Sequence, residues 1–421
     1  MTAPAPVRRR RRVAGALLLA LAAASAGAVD RDRLLYRAET FEGAVLASGN
    51  PDTPFNPASL IKVGTSLWAL ERLGPEHRFR TVAGIHGAWD KVAGRLDGAL
   101  VIQGWGDPDF QAENAFLLAR QLNRLQLRSV TGGIHIDGDF WIGWENGVEK
   151  RTVEPGARAG LMGRRLRMVL DPTRWDRTTR AAWEAMCVRR GWDPSRPPRV
   201  VVSGPVAAGA PEGWQPVAIH LSNPLEALLR RFNVYSNNDI IRIADTLGGV
   251  PQLEAFLEQR LGVPPSAIEL ETASGERRNR LSARTGVQLM RAFVEALDAF
   301  GLAPGDVLPV IGCDRGSTNR KFPLLASGDR TGGVAVKTGT LIQTDGGVAV
   351  LGGAFTSPDL GRVLFCIAAP ESGYDELHWR GLQQSWVLEL LANTGGAIQQ
   401  PCGPELPFSD THADVEWVVP W

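Results

Sequence analysis

Lysine is nearly missing from this 421-residue chain: of 46 basic residues only five are lysine, at positions 62, 91, 150, 321 and 337. Arginine serves almost wherever a plain cation is wanted, so a retained lysine points to a task guanidinium cannot perform, the release and uptake of a proton near neutrality. An excess of one charge is missing too, because 45 acidic residues balance the basic ones. That balance excludes a basic surface built for nucleic acid. Cys187, Cys313, Cys366 and Cys402 lie far apart, and the six histidines (77, 86, 135, 220, 378, 412) fall in no ligand-like spacing. A zinc site and a Ser-His-Asp triad are therefore not expected, no metal or organic cofactor is implied, and the spacing leaves open all three pairings of the cysteines as well as the reading that some are simply small buried side chains. Long apolar runs are absent as well. The longest, Val13 to Ala24, falls short of the roughly 20 residues that span a bilayer. With Arg8 to Arg12 before it and Ala26-Gly27-Ala28 after it, residues 1–28 read as a signal peptide, so the mature chain is expected outside the cytoplasm without a membrane span.

What is present is enough apolar residue, 44%, for a real core, in a chain longer than one core usually serves. Two textures alternate along it. Ser59 to Leu73 is a dense apolar helical pattern closed by Gly74 and Pro75, and helical texture returns at Pro224 to Leu247, Leu253 to Leu261, Ala283 to Leu297 and Leu377 to Ala392. Val334 to Val336, Gly347 to Gly353 and Val363 to Ala368 read as strands. Between the first helix and the second helical block, short β-type runs (Arg80 to His86, Ala99 to Gln103, Ile134 to Phe140, Arg199 to Val202) alternate with amphipathic helix such as Ala115 to Leu127. The expectation is an α+β protein: residues 29–75 and 214–421 form one domain, a helical cluster on an antiparallel sheet, and residues 76–213 an inserted α+β domain. Residues 395–421 carry no clear pattern.

Three short motifs carry the chemistry. Ser59-Leu60-Ile61-Lys62 places a hydroxyl and an amine three residues apart at the start of a helix, hence on one face, where the helix N-terminus also favours a developing oxyanion. Eighteen serines and five lysines would give about 0.2 such pairs by chance. Ser236-Asn237-Asn238 offers a hydroxyl for proton relay and, in Asn238, an amide for a substrate carbonyl. Lys337-Thr338-Gly339-Thr340 ends a strand: Lys337 and Thr338 suit a substrate carboxylate, Gly339 lets a peptide approach, and the Thr340 N–H suits an oxyanion. Each motif alone also has an ordinary reading as a cap or turn. Their order is what makes chance an inadequate account.

The three motifs resemble those of penicillin-binding proteins and serine β-lactamases. Over most of the mature chain the resemblance is to the D-alanyl-D-alanine carboxypeptidase/endopeptidase family of penicillin-binding protein 4 type, peptidase family S13. It extends to Leu73-Gly74-Pro75, Phe79-Arg80-Thr81, Gly104-Trp105-Gly106-Asp107-Pro108, Arg278-Asn279-Arg280-Leu281-Ser282 and Leu308-Pro309-Val310. The resemblance implies a penicillin-binding, β-lactamase-like fold and a periplasmic enzyme that cuts peptidoglycan stem peptides ending in D-Ala-D-Ala. It further implies that β-lactams inhibit by acylating Ser59, with Lys62, Ser236, Asn238 and Lys337 as the other catalytic residues. By resemblance Asp107 of the insert meets a substrate amine; by its own chemistry it is an Asx turn. The chain departs from the family at Thr272-Ala273-Ser274-Gly275-Glu276-Arg277, where Asp-Gly-Ser-Gly-Leu-Ser is usual, and at Gly316-Ser317-Thr318. Neither segment is expected to touch the motif residues. The competing readings are a β-lactamase or esterase on the same fold, and a wall-binding protein that keeps the cleft without turnover.

Overall fold

The computed structural model describes residues 31–147, 151–314, 316–328, 332–399, 402 and 405–418. The expected signal peptide and Trp421 lie outside them.

Val363 to Ala368 shows why the central sheet forms. Leu364, Cys366 and Ala368 face one apolar cluster while Val363, Phe365, Ile367 and Ala369 face another, so a run with no polar residue becomes a strand buried on both sides. This strand, Gly361–Pro370, lies in the middle of a five-stranded antiparallel sheet. The sheet runs in the order Val334–Leu341, Val348–Ser357, Gly361–Pro370, Leu35–Thr40, Val45–Gly49. One face is covered by the helices Lys62–Leu73, Leu225–Tyr235 and Ala283–Ala299, the other by Glu376–Asn393. Ser282 caps the helix Ala283–Ala299 by accepting from the N–H of Thr285. Gly74, with φ near 80°, ends Lys62–Leu73 in a conformation that favours glycine.

A second sheet with its own core follows the first helix. Its strands run in the order Asp414–Trp417, Gln215–Leu221, Arg80–Asp90, Arg95–Trp105, Ser129–Val130, Val201–Val202, and Ile134–Asp139 pairs in parallel with Arg95–Trp105. Helices Ala112–Arg124, Pro155–Leu170 and Arg177–Arg190 contribute to that core. The tail that carried no pattern supplies the strand Asp414–Trp417, and Cys402 within it is disulfide-bonded to Cys313. Cys187 and Cys366 are free and buried. Among the described residues no helix is long and apolar enough to cross a membrane.

The two layers meet through buried charge. Asp109 accepts from Arg231 at 2.7 Å, and Arg242 donates to the carbonyls of Pro108 and Gly143 while stacking over Trp141. Asp239 accepts from the N–H groups of Glu145 and Asn146 at 2.8 and 3.2 Å. These bonds lock the second layer against the Ser236–Asn238 segment.

Candidate active site

Ser59 does not begin the α-helix itself. It lies in a 3-10 turn, Ala58–Ile61, and the α-helix starts at Lys62. Ala58 before it has φ near 46°, a conformation that costs a residue with a side chain about 1 kcal/mol or more. Asn56 sustains it by accepting from the Ala58 N–H at 3.0 Å. The Asn56 amide in turn donates to the Arg277 carbonyl and to Asp345, at 2.8 and 2.9 Å.

Two neighbouring glycines are required by this turn. A Cβ at Gly275 would lie 1.9 Å from the Ala58 oxygen, and one at Gly339 would lie 2.6 Å from the Pro57 oxygen and 3.1 Å from the Ser59 nitrogen. The bare backbone of Gly339 thus lets the strand Val334–Leu341 press against the nucleophile's own N–H.

Lys62 is wholly buried, and its Nζ donates to Ser59 Oγ at 2.8 Å, Asn238 Oδ1 at 2.7 Å and the Ser274 carbonyl at 2.5 Å. Burial pulls its pKa down to about 7, with the negative charge of Glu276 acting against the fall. An amine at that value exchanges a proton with a serine hydroxyl at neutral pH, as guanidinium cannot. Lys337, also buried, donates to Ser236 Oγ at 2.9 Å and to the Thr338 carbonyl at 2.9 Å. Burial holds its pKa well below the usual range, and the charge of Lys62 adds to the effect. Ser236 reaches this amine because it ends the helix Leu225–Tyr235 in the left-handed conformation, φ 51° and ψ 40°.

Thr338 and Gly339 are buried, while the Thr340 hydroxyl sits in a polar cluster, accepting from Arg380 at 2.7 Å and donating to Glu376 at 3.0 Å. Arg380, 1% exposed, also donates to the Gly339 carbonyl, so the end of the third motif is anchored from beneath the sheet. Ser59, Lys62, Ser236, Asn238 and Lys337 are therefore brought together, with Thr338 to Thr340 alongside.

Asp107 is not among the residues that meet here. It is 2% exposed, its Oδ1 accepts from the Asp109 N–H at 3.0 Å, and its Oδ2 faces His220 Nδ1 at 3.8 Å. That is an Asx turn, and a carboxylate so enclosed has no surface to offer a substrate amine. Burial raises its pKa to about 7 and lowers that of His220 to about 3.

The segment 272–277 also departs from expectation, because the Ser274 carbonyl bonds directly to Lys62. Asn56, Ser274, Glu276 and Arg380 are the site residues that sequence reasoning missed. The departure at 272–277 is the sequence signal for Ser274 and Glu276, whereas Asn56 and Arg380 have none in the motifs.

No curated protein matches this sequence. Among solved structures, the predatory endopeptidase Bd0816 of Bdellovibrio bacteriovorus is similar with a TM-score of 0.75 and 20% identity, over 90% of this chain and 98% of that one. The penicillin G-acylated form of Bd3459, a predatory endopeptidase of the same organism, gives 0.71 and 20%, over 90% and 98%. Penicillin binding protein 4 of Haemophilus influenzae gives 0.60 and 19%, over 86% and 99%. These likenesses show the penicillin-binding fold, with its antiparallel sheet and helical cluster. Residues 32–148 and 200–383, which include all three motifs, match the D-Ala-D-Ala carboxypeptidase 3 (S13) family, and the chain belongs to that family of serine peptidases acting on peptidoglycan.

Proposed function

We propose that the chain is an exported, periplasmic serine D-alanyl-D-alanine carboxypeptidase that hydrolyses peptidoglycan stem peptides through an acyl-enzyme on Ser59. The observation that carries this reading is the 2.8 Å bond between Ser59 Oγ and a buried Lys62 whose pKa lies at about 7. In the proposed reaction Ser59 Oγ attacks the carbonyl of the penultimate D-Ala as its proton passes to Lys62. The oxyanion lies between the N–H groups of Ser59 and Thr340, where Gly339 allows the close approach. As the C–N bond breaks, Ser236, beside Lys337, delivers a proton to the departing D-Ala nitrogen. Water then hydrolyses the ester and frees Ser59. Lys337 and Thr338 hold the terminal carboxylate, and Asn238 holds Lys62 and the substrate amide.

A DD-endopeptidase activity at the same site is part of the proposal, supported by the structural neighbours described as endopeptidases. Penicillin-type β-lactams should acylate Ser59, as penicillin G does in a neighbour of the same fold. Export is supported by the Cys313–Cys402 disulfide, a bond that persists in oxidising compartments. We take residues 76–213 as the inserted domain, its sheet completed by Gln215–Leu221 and Asp414–Trp417.

The test is intact-mass spectrometry of the mature chain after incubation with a penicillin, beside a Ser59→Ala variant. An adduct on the wild type alone is expected. An unlabelled wild type would remove the acyl-enzyme mechanism and favour a wall-binding protein without turnover.

A further inference from the structure

The turn that supplies the Ser274 carbonyl to Lys62 reaches the reaction centre a second way. Ser274 is fully buried and makes two bonds in opposite directions: its carbonyl accepts from Lys62 Nζ at 2.5 Å, and its hydroxyl bonds to Glu276 Oε2 at 3.0 Å. One rigid residue thereby joins an amine to a carboxylate. The turn is built to hold this arrangement. Thr272 Oγ1 accepts from the Gly275 N–H and donates to the Glu276 carbonyl, at 3.1 and 2.7 Å, and the Asn279 amide donates to the same carbonyl at 2.8 Å. From the second layer Gly147 closes over the carboxylate, where a Cβ would come within 2.2 Å of Glu276 Oε1. The carboxylate is thus confined from two sides.

The other charges around Lys62 are differently disposed. Lys337, on the strand Val334–Leu341, is a second amine, backed by Lys321 and Arg380. Asp239, next to Asn238, is turned towards the N–H groups of Glu145 and Asn146 and towards Arg242 at 3.4 Å. Among the described residues, Glu276 is the carboxylate whose field acts on the amine.

We propose that Glu276 is a positioning residue for Lys62: held by Ser274, it keeps the amine aimed between Ser59 and Asn238, and its charge sets the pH below which acylation of Ser59 fails. This rests on the reading of Ser59 as nucleophile and Lys62 as its base. Burial alone drives a lysine to its neutral form, ready to accept a proton but reluctant to keep one. A nearby carboxylate restores the protonated form, so that near neutrality the amine both takes the Ser59 proton and returns one later in the cycle.

The experiment is the pH profile of acylation by a fluorescent penicillin in the full chain, for the wild type, Glu276→Gln, Glu276→Asp and Ser59→Ala. Removing the negative charge makes Lys62 easier to deprotonate, so the acid limb of Glu276→Gln should move to lower pH by about one unit. Glu276→Asp keeps the charge, and its limb should stay close to that of the wild type even if the plateau rate falls. Should Glu276→Gln lose its folding transition, Ser274→Ala takes its place, because it releases the carboxylate and should shift the limb the same way. A limb that stays put while the plateau falls, or an Asp variant that shifts as far as the Gln variant, overturns the proposal. A wild type that labels no more than Ser59→Ala overturns the underlying mechanism instead, and the two failures look different.

Discussion

The ammonium of Lys337 lies 2.9 Å from the hydroxyl of Ser236, although 101 residues separate them in the chain. The second and third motifs are therefore one hydrogen-bonded unit facing the Ser59–Lys62 pair, with Asn238 connecting the two. Proton traffic to the leaving group should depend on both partners together.

Ser236→Ala and Lys337→Met should each slow acylation by roughly 10²–10⁴-fold, and the double variant by little more than the worse single one. Stopped-flow acylation of the four proteins completes the double-mutant cycle. Fully additive losses would contradict a shared role.

Only the neutral form of Lys62 accepts the Ser59 proton, and its pKa lies at about 7. The wild-type acylation rate should thus fall about tenfold per pH unit below 7 and level off above it. A flat profile between about pH 5 and 9, or a limb near 10, would show that Lys62 is not the titrating base.

Gly275 has φ near 85°, and a Cβ there would collide with the Ala58 carbonyl at 1.9 Å. Gly275→Ala should destabilise the fold by about 2–4 kcal/mol and abolish penicillin labelling, because the turn carrying Ser59 must move. Thermal melting and intact mass measure the two effects. Labelling at the wild-type rate would contradict the packing described.

The Cys313–Cys402 disulfide closes a loop of 89 residues, for which chain entropy sets an upper limit of about 4–5 kcal/mol. Cys402→Ser should lower the melting temperature measurably while leaving acylation within about twofold, since among the described residues no hydrogen bond joins either cysteine to the motif residues. A large loss of acylation in a folded variant would tie the tail to the site directly.

The sequence discloses those parts of the fold and site that rest on local pattern. The apolar run Val363 to Ala368 and the three short motifs are local, and both reappear in the structure. Within the helical texture of Pro224 to Leu247, Ser236-Asn237-Asn238 reads as a break between two helical runs, and the structure breaks the helix there, but the left-handed residue that turns the Ser236 hydroxyl towards Lys337 is not in the pattern. Apolar periodicity cannot register a single reversed φ. Asn56 and Arg380 work on backbone carbonyls contributed by distant segments, and Ser274 works through its own carbonyl, so their side chains carry no positional signature. The strand Leu35–Thr40 was hidden for a similar reason. Its sequence LYRAET has no clean alternation, and pairing with residues 363–368 makes it a strand.

The strand Asp414–Trp417 covers the outer side of Gln215–Leu221, while Cys402 fastens the same tail to the other layer. The polypeptide thus crosses between the layers three times, after the first helix, after Leu221 and again in the tail. A body hinged at two crossings opens like a door; a third crossing acts as a latch. Losing the tail would do more than release the latch, because it would bare the N–H and C=O row of Gln215–Leu221 and offer a sheet edge for a second molecule to extend.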